Sequence, residues 1–270
     1  MITKNPMQLK AIIKNKAREK NISAQLVMQN YMLERLLERI SLSKYRNNFI
    51  LKGGFLISAI VGLDTRATMD LDTTIKGFTL THDRIREIFK DICTVEIEDD
   101  VAFEIVSIAD IRETDDYPGI RVNLKANYIP ISVPLTVDVT AGDIITPREI
   151  EYPFSLLFDD RRISVWAYNL ETVLAEKIET VLSRGIANTR PRDYYDIYIL
   201  WTLRKEECNV KMLKSALIQT AGKRGSMNVL EKYKAIIEKI QSSVQLQGFW
   251  DKYTKSLITP KILNFQAYAA

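Results

Sequence analysis

The sequence predicts an α+β fold: a small mixed sheet within an α/β core, followed by a helical C-terminal domain. Three observations predict it. Apolar residues recur at helical spacing over the first 40 residues, strict period-2 alternation marks three segments between 101 and 140, and helical spacing dominates after residue 169.

The elements follow in order. One helix spans roughly residues 7–19. A second starts after Ser23, a suitable N-cap, with Leu26, Leu33, Leu36, Leu37 and Ile40 on one face. Phe49–Lys52 reads as a short buried strand ending at Gly53-Gly54, and Phe55–Val61 as a short helix. Residues 70–75 return to strand, and Thr81 can cap a helix that runs to about Cys93 with Ile85, Ile88, Phe89 and Ile92 inward. Three alternating strands come next. Val101, Phe103 and Ile105 share a face, as do Ile120, Val122, Leu124 and Ala126. In the third, Leu135, Val137 and Val139 oppose Thr136, Asp138 and Thr140. Residues 141–165 read as a loop region. Helices follow at about 169–184, 191–204, 209–221, 227–241 and 246–258, with Gly185 and Pro191 bracketing the first connection. This divides the chain into N-terminal helices packed on the core (1–48), an α/β core (49–165) and a helical domain (166–270).

Composition narrows the chemistry. With 46% apolar and 27% charged residues over 270 positions, the chain can bury a sizeable core. The N-terminus lacks the apolar centre of a signal peptide, and no apolar stretch approaches the roughly 20 residues needed to cross a bilayer. The two cysteines, Cys93 and Cys208, lie far apart and suit a reduced, cytoplasmic setting. The single histidine, His82, argues against Ser-His-Asp and Cys-His catalysis and against histidine-rich metal sites. Carboxylates and lysines must then carry any catalysis. Charge is also uneven: residues 1–48 carry a net +7, residues 49–203 a net −10 and residues 204–270 a net +7. An acidic middle between basic ends suits a metal centre with arms for a polyanion, and equally suits solvated lysine-rich helices.

Two constellations could carry such chemistry. In the strand at 70–75, Asp70 and Asp72 are two apart and point to one face, while Leu71 points inward. Paired carboxylates repel unless a cation neutralises them, and hard oxygen donors favour Mg²⁺ or Mn²⁺. Gly53 and Gly54 let the backbone approach a triphosphate, and the helix after them adds its positive end. An ordinary surface Asp pair beside a Gly-Gly turn is the plainer alternative. Asp138 sits on the polar face of its strand, where Asp is disfavoured. It is a third metal ligand, a general base or a solvent-facing residue. The second constellation is Lys177, within the inward stripe of its helix, with Asp193 and Asp196 on the helix that follows. Lysine is seldom buried without a partner, and either a phosphate or an ion pair with Asp193 would supply one.

Together these segments resemble the AbiEii/AbiGii nucleotidyltransferase toxins, a branch of the polymerase-β-like superfamily. Leu51-Lys-Gly-Gly54 is similar to the family's K-G-G segment and Arg66-Ala-Thr-Met-Asp-Leu-Asp72 to its R-x-[ST]-x-D-L-D motif. Glu176-Lys177 matches its E-K helix, and Arg190-Pro-Arg-Asp-Tyr-Tyr-Asp196 its R-x-[RK]-D-x-x-D segment. Val137–Asp143 resembles the strand that carries a further acidic position. The resemblance implies a polymerase-β-like core in which Asp70 and Asp72 bind metal, Lys177 contacts nucleotide phosphates and Asp193 is required. Thr68 holds the motif's Ser/Thr place, and Arg66 helps to hold phosphate. It further implies an NTP substrate and an RNA acceptor, the 3′ end of tRNA. The partner it implies is a cognate antitoxin of a type IV system, with or without direct binding, and the setting is abortive infection of phage. Two other readings share the same residues: an NTP-dependent phosphotransferase and a non-catalytic RNA-binding protein.

Overall fold

The computed structural model describes residues 5–111 and 119–256. Met1–Lys4, and residues 257 and 258 at the expected end of the last helix, lie outside the described residues. The chain divides into two compact units, Met1–Asp143 with Ile150–Ala167, and Ile144–Glu149 with Tyr168–Ala270.

The first unit holds α1 (Pro6–Glu19), α2 (Ala24–Leu42), β1 (Phe49–Lys52), α3 (Gly53–Val61), β2 (Asp70–Ile75) and α4 (His82–Cys93). It continues with β3 (Ala102–Asp110), β4 (Gly119–Tyr128), β5 (Ile131–Ala141), β6 (Ile150–Ser155) and β7 (Arg162–Ala167). Two caps anticipated from sequence are formed: Ser23 Oγ accepts from the Leu26 N–H and Thr81 Oγ1 from the Arg84 N–H. The strands make one mixed sheet of seven in the order β3-β4-β5-β2-β1-β7-β6. The β2–β5 and β1–β7 pairs are parallel and the others antiparallel.

The sheet is larger than expected, because the segment read as loop at 141–165 contains β6 and most of β7. Pro153 hid the first of these. Proline cannot donate to a ladder, and it is tolerated here because β6 is an edge strand. Strand β7 does alternate, with Ile163, Val165 and Ala167 buried, but over only six residues. Two further boundaries differ. Helix α3 begins at Gly53 rather than Phe55, so both glycines belong to its first turn. In β3 a register shift between Ile105 and Ser107 interrupts the alternation.

The sheet has an apolar and a polar face, separated by the pleat. Leu71, Val137 and Val122 lie opposite one another on β2, β5 and β4, and all are fully buried. Helix α2 packs against β5 and β7, α4 against β3, and α3 against β1 and β2. Helix α2 is more completely buried than its apolar face suggests, since Glu34, Arg35, Glu38 and Arg39 are covered too. Each has partners. Arg35 bridges Glu34 and Glu38 at 2.7 and 2.6 Å, Glu34 accepts the Leu157 N–H at 2.6 Å, and Arg161 reaches Glu38 at 3.0 Å. Arg39 forks onto Asp99 at 2.7 and 2.8 Å.

The second unit holds α5 (Leu170–Arg184), α6 (Pro191–Arg204), α7 (Val210–Lys223), α8 (Met227–Glu231), α9 (Tyr233–Gln241) and α10 (Val244–Ser256). The single helix expected at 227–241 is broken at Lys232. Val181, Tyr194, Tyr195, Ile240, Leu246 and Trp250 form its core, with Phe249 and Tyr253 packed against them. The aromatics among these are packing residues. Trp201 of α6 is exposed. Asn169 caps α5 and donates to the Thr146 and Arg148 carbonyls, which ties the 144–149 strip to this unit. Among the described residues, no helix is long and apolar enough to cross a membrane.

The buried cluster on α2 makes stability depend on pH. Burial pushes the Glu34 carboxyl up to about 7, with Arg35 and the Leu157 N–H offsetting part of the rise. A carboxyl that holds its proton more tightly when folded stabilises the fold fully below its ordinary pKa, and loses that contribution as pH rises through the folded value. Urea denaturation should therefore show wild-type stability falling between about pH 4.5 and about pH 7, and Glu34→Gln should flatten that decline.

Candidate active site

Helix α3 and strand β2 meet where the two glycines are. Gly53 adopts φ +62°, and a Cβ there would lie 2.2 Å from Asp72 Oδ2. A Cβ on Gly54 would lie 2.9 Å from Thr68 Oγ1 and 3.4 Å from an Arg66 Nη. The glycines therefore admit the side chains of β2 and of the segment leading into it. Asp72 occupies the start of α3, where its Oδ2 accepts the Gly54 N–H at 3.1 Å. The positive end of that helix thus serves a carboxylate directly. Arg66 is buried, and its guanidinium donates to the Ala67 carbonyl. From α2, Asn30 donates to the Thr68 carbonyl at 2.8 Å, and Gln29 to those of Met69 and Pro134 at 3.3 and 2.7 Å. Two buried amides so fix the backbone that enters Asp70-Leu-Asp72.

Strand register then lines up four charged residues on the polar face. Lys52 of β1 is opposite Asp72 of β2, Asp72 opposite Asp138 of β5, and Asp138 opposite Arg121 of β4. Residues directly opposite share a face and sit close enough to interact. The row reads plus, minus, minus, plus. Asp70 lies one row along, opposite Thr136, and is exposed. The outer cations are already engaged. Lys52 Nζ is 2.5 Å from Asp143 Oδ2, which also accepts from Thr140 at 2.8 Å. Arg121 grips Asp138 with two hydrogen bonds of 2.8 Å.

Electrostatics follow from this arrangement. Burial raises the Asp72 carboxyl above the usual range; the Gly54 N–H and Lys52 pull it down, while Asp138 and Asp70 push it further up. Burial would also raise Asp143, but Lys52 and the Thr140 and Thr74 hydroxyls bring it to about 2. Asp143 is thus held ionised, and Asp72 is the strained charge.

Asp70 and Asp72 fit a hard divalent cation. Both are oxygen donors, they lie two apart on one strand, and the buried member is destabilised by its acidic neighbours. Among the described residues, no three His, Cys, Asp or Glu side chains converge as a metal-holding group, and both oxygens of Asp138 face Arg121. Two carboxylates, with water and phosphate completing the shell, is an arrangement Mg²⁺ uses at nucleotide sites. None of these four residues (Asp70, Asp72, Asp138 and Arg121) lines the cavity of about 230 Å³ bounded by Glu34, Phe55, Ser58 and Phe154. His82, the first residue of α4, is exposed and pairs with Asp110 at 2.9 Å.

In the helical unit, Lys177 lies between two carboxylates, 2.8 Å from Asp193 and 2.9 Å from Asp196. Burial alone would lower its pKa, but Asp196 and Asp193 outweigh burial and raise it. The ion pair foreseen with Asp193 exists, and Asp196 makes it a triad. Asp193 Oδ2 is buried, with no hydrogen-bond partner among the described residues.

Of the residues expected from sequence, Gly53, Gly54, Arg66 and Thr68 meet around Asp72; Asp70 and Asp138 lie on its sheet face; and Lys177 meets Asp193 in the helical unit. Sequence reasoning assigned no role to Arg121, Lys52, Gln29 or Asn30. Alternation in β4 does put Arg121 outward, but its meeting with Asp138 follows only from the register set by the turn at 129–130.

A mixed sheet that sets Asp72 at the start of a Gly-Gly helix, with Asp70 on the same strand, belongs to a chain whose class is nucleotidyltransferase. A family model described as the nucleotidyl transferase AbiEii toxin of type IV toxin–antitoxin systems matches residues 35–269, and the chain belongs to that family. Its substrate class is therefore nucleotide, and its counterpart an antitoxin. The fold is similar to that of JHP933 from Helicobacter pylori at 14% identity and a TM-score of 0.51, covering 92% of this chain and 88% of that one. An antigenic nucleotidyltransferase-like protein from Paracoccidioides brasiliensis aligns at 18% identity and a TM-score of 0.41, over 74% of this chain and 92% of that one. No curated protein matches the chain.

Two outcomes test the geometry. Gly53→Ala should displace Asp72 and lower nucleotidyl transfer by about 100-fold, the typical cost of misplacing a reacting group by an ångström, with little loss of helix content by circular dichroism. Lys177→Met should destabilise the protein by about 3–5 kcal/mol in urea titrations, because two buried carboxylates lose their shared cation. Lys177→Arg should recover most of that stability.

Proposed function

We propose that the protein transfers nucleotides from an NTP to the 3′ end of an RNA, with tRNA as the acceptor, in a reaction that requires Mg²⁺ or Mn²⁺. Modified at that end, a tRNA would no longer be aminoacylated, which would make the enzyme a toxin and suit a role in abortive infection. The observation that carries this reading is Asp72, fixed at the start of α3 by the Gly54 N–H with Asp70 beside it.

Asp70 and Asp72 hold the cation, which when bound neutralises triphosphate charge and so eases displacement of pyrophosphate. Gly53 and Gly54 keep the start of α3 open to Asp72. Arg66 and Thr68, packed at the same turn, shape the phosphate side of the site. The RNA hydroxyl attacks the α-phosphorus, the α–β bridging bond breaks, and the proton leaves to solvent. Lys177, held by Asp193 and Asp196, supplies an ammonium for phosphate, with Asp193 setting its position. Such chemistry is chiefly positioning and electrostatics. The basic stretches 1–48 and 204–270 favour a polyanionic acceptor, and their contribution should weaken with salt.

The test is purified protein with total RNA, Mg²⁺ and each NTP labelled at the α or γ position. Transfer should place the α label in tRNA-sized RNA and release the γ label. Asp70→Ala and Asp72→Ala should each lower incorporation by at least about 1,000-fold while leaving thermal unfolding cooperative. Label incorporated from γ and not α would identify a phosphotransferase. Full incorporation by both variants would end the proposal.

A further inference from the structure

One cavity of the first unit has no part in the mechanism above. It measures about 230 Å³ and lies among α2, α3 and the chain from Phe154 to Leu157. Phe55, Leu63, Phe154 and Leu156 give it apolar walls, with the rings of Phe55 and Phe154 stacked 5.5 Å apart and 5° from parallel. A purely apolar void can stay dry and empty. This one is also lined by three buried polar side chains, Asn30, Glu34 and Ser58, which are 4%, 1% and 6% exposed.

Two of the three have hydrogen-bonding capacity left. Asn30 donates to the Leu26 carbonyl at 3.0 Å and to the Thr68 carbonyl at 2.8 Å, which uses both N–H groups of its amide. Among the described residues, its Oδ1 and the Ser58 hydroxyl have no hydrogen-bond partner. Buried polar groups are satisfied in the great majority of cases, and an amide oxygen calls for a donor. The charges at the cavity, by contrast, are matched. Glu34 accepts from Arg35 and from the Leu157 N–H at 2.7 and 2.6 Å, and Lys20 meets Asp64 at 2.8 Å. A neutral donor fits this lining and an ion does not.

The cavity also touches both supports of the catalytic strand. Asn30 holds the Thr68 carbonyl at the entrance to β2. Phe55 and Ser58 belong to α3, whose first turn holds Asp72 through the Gly54 N–H. A donor given to Asn30 Oδ1 would lock the amide plane that fixes that entrance, and filling the space would brace α3 against α2.

We propose that this cavity binds a small, neutral, planar molecule with an apolar ring and an N–H donor, such as an aromatic primary amide, and that its occupancy favours nucleotide binding at the active site. Volume limits the size, because drug-sized ligands need about 300 Å³ or more. The effect on the nucleotide rests on the nucleotidyl-transfer reading, whereas binding in the cavity does not.

The experiment titrates the full-length protein by saturation-transfer NMR with benzamide and with N,N-dimethylbenzamide, which keeps the ring and lacks the N–H. Benzamide should bind with a Kd of about 1 mM, and the dimethyl compound about 10-fold more weakly. Ser58→Ala should weaken benzamide by about 5-fold. Ser58→Leu, which fills the cavity, should abolish binding, and melting temperatures check that both variants fold. Saturating benzamide should tighten binding of a non-transferable α,β-methylene NTP with Mg²⁺ by about 5-fold, and the nucleotide should tighten benzamide by the same factor, because coupling is reciprocal. The proposal fails if benzamide does not bind, or if both Ser58 variants bind it as well as the wild type does. Equal binding of the two amides overturns the donor, and unchanged affinities in the presence of the second ligand overturn the coupling. A protein that binds benzamide at Ser58 yet neither binds NTP nor transfers nucleotide, with or without benzamide, overturns the nucleotidyl-transfer reading while the cavity site stands.

Discussion

The parallel pairing of β2 with β5 sets Asp72 directly opposite Asp138, two carboxylates on adjacent strands of one sheet face. Like charges so placed are destabilising, and most of the surrounding polar structure answers that repulsion. Arg121 takes one carboxylate in a forked pair, and the start of α3 takes the other through the Gly54 N–H. Gly53 is glycine because a Cβ would collide with Asp72. The opposite face of the same strands is Leu71, Val137 and Val122, all fully buried. A slip of one residue would bury the acids and expose the core, so packing fixes the register that brings the acids together.

Helix α2 holds this arrangement from behind. Its apolar residues pack on the sheet, and its polar residues are anchors rather than a solvated face. Gln29 and Asn30 bind three backbone carbonyls at the entrance to β2 and in β5, so the strand that carries Asp70 and Asp72 starts at a fixed point. Arg39 with Asp99, and Arg35 with Glu34 and Glu38, tie the same helix to the chain near 99–101 and 157–161. Buried charges of this kind add little net stability against apolar packing, but losing one partner is costly. Their consequence here is rigidity around a site whose chemistry depends on position.

What the sequence disclosed depended on how local each signal was. Helices α2 and α4 and strands β1, β2, β4 and β5 could be read from periodicity and caps within a few residues of their observed ends. The Asp70/Asp72 pair was legible because both acids lie in one strand, and Lys177 because its place in an apolar stripe required a partner. Edge strand β6 was lost to Pro153, and β7 to its shortness. Arg121 belongs to a different class. Nothing within its own neighbourhood distinguishes it from Asn123 or Lys125 on the same outward side of β4. Only the pairing of β4 with β5 shows that it meets an aspartate and that the aspartate meets the D-L-D strand.

The two cations of the row show why identity matters as much as charge. Lys52 is largely buried, and its ammonium meets an Asp143 oxygen that also accepts from Thr140. Lys52 and the Thr140 and Thr74 hydroxyls hold Asp143 ionised down to about 2. Lys52 also lowers the cost of ionising Asp72 without entering the open site. Arg121 is more exposed and has donors in reserve, and its anchor fixes an angle as well as a point. Exchanging the two would cost the outer position its geometry, because an ammonium in the Arg121 position would lose the fixed plane that the fork on Asp138 gives. The sheet therefore keeps its buried compensating charge on a lysine and its outward, oriented charge on an arginine. Asp72 stands between the two in that row, with Asp70 two residues before it on the same strand.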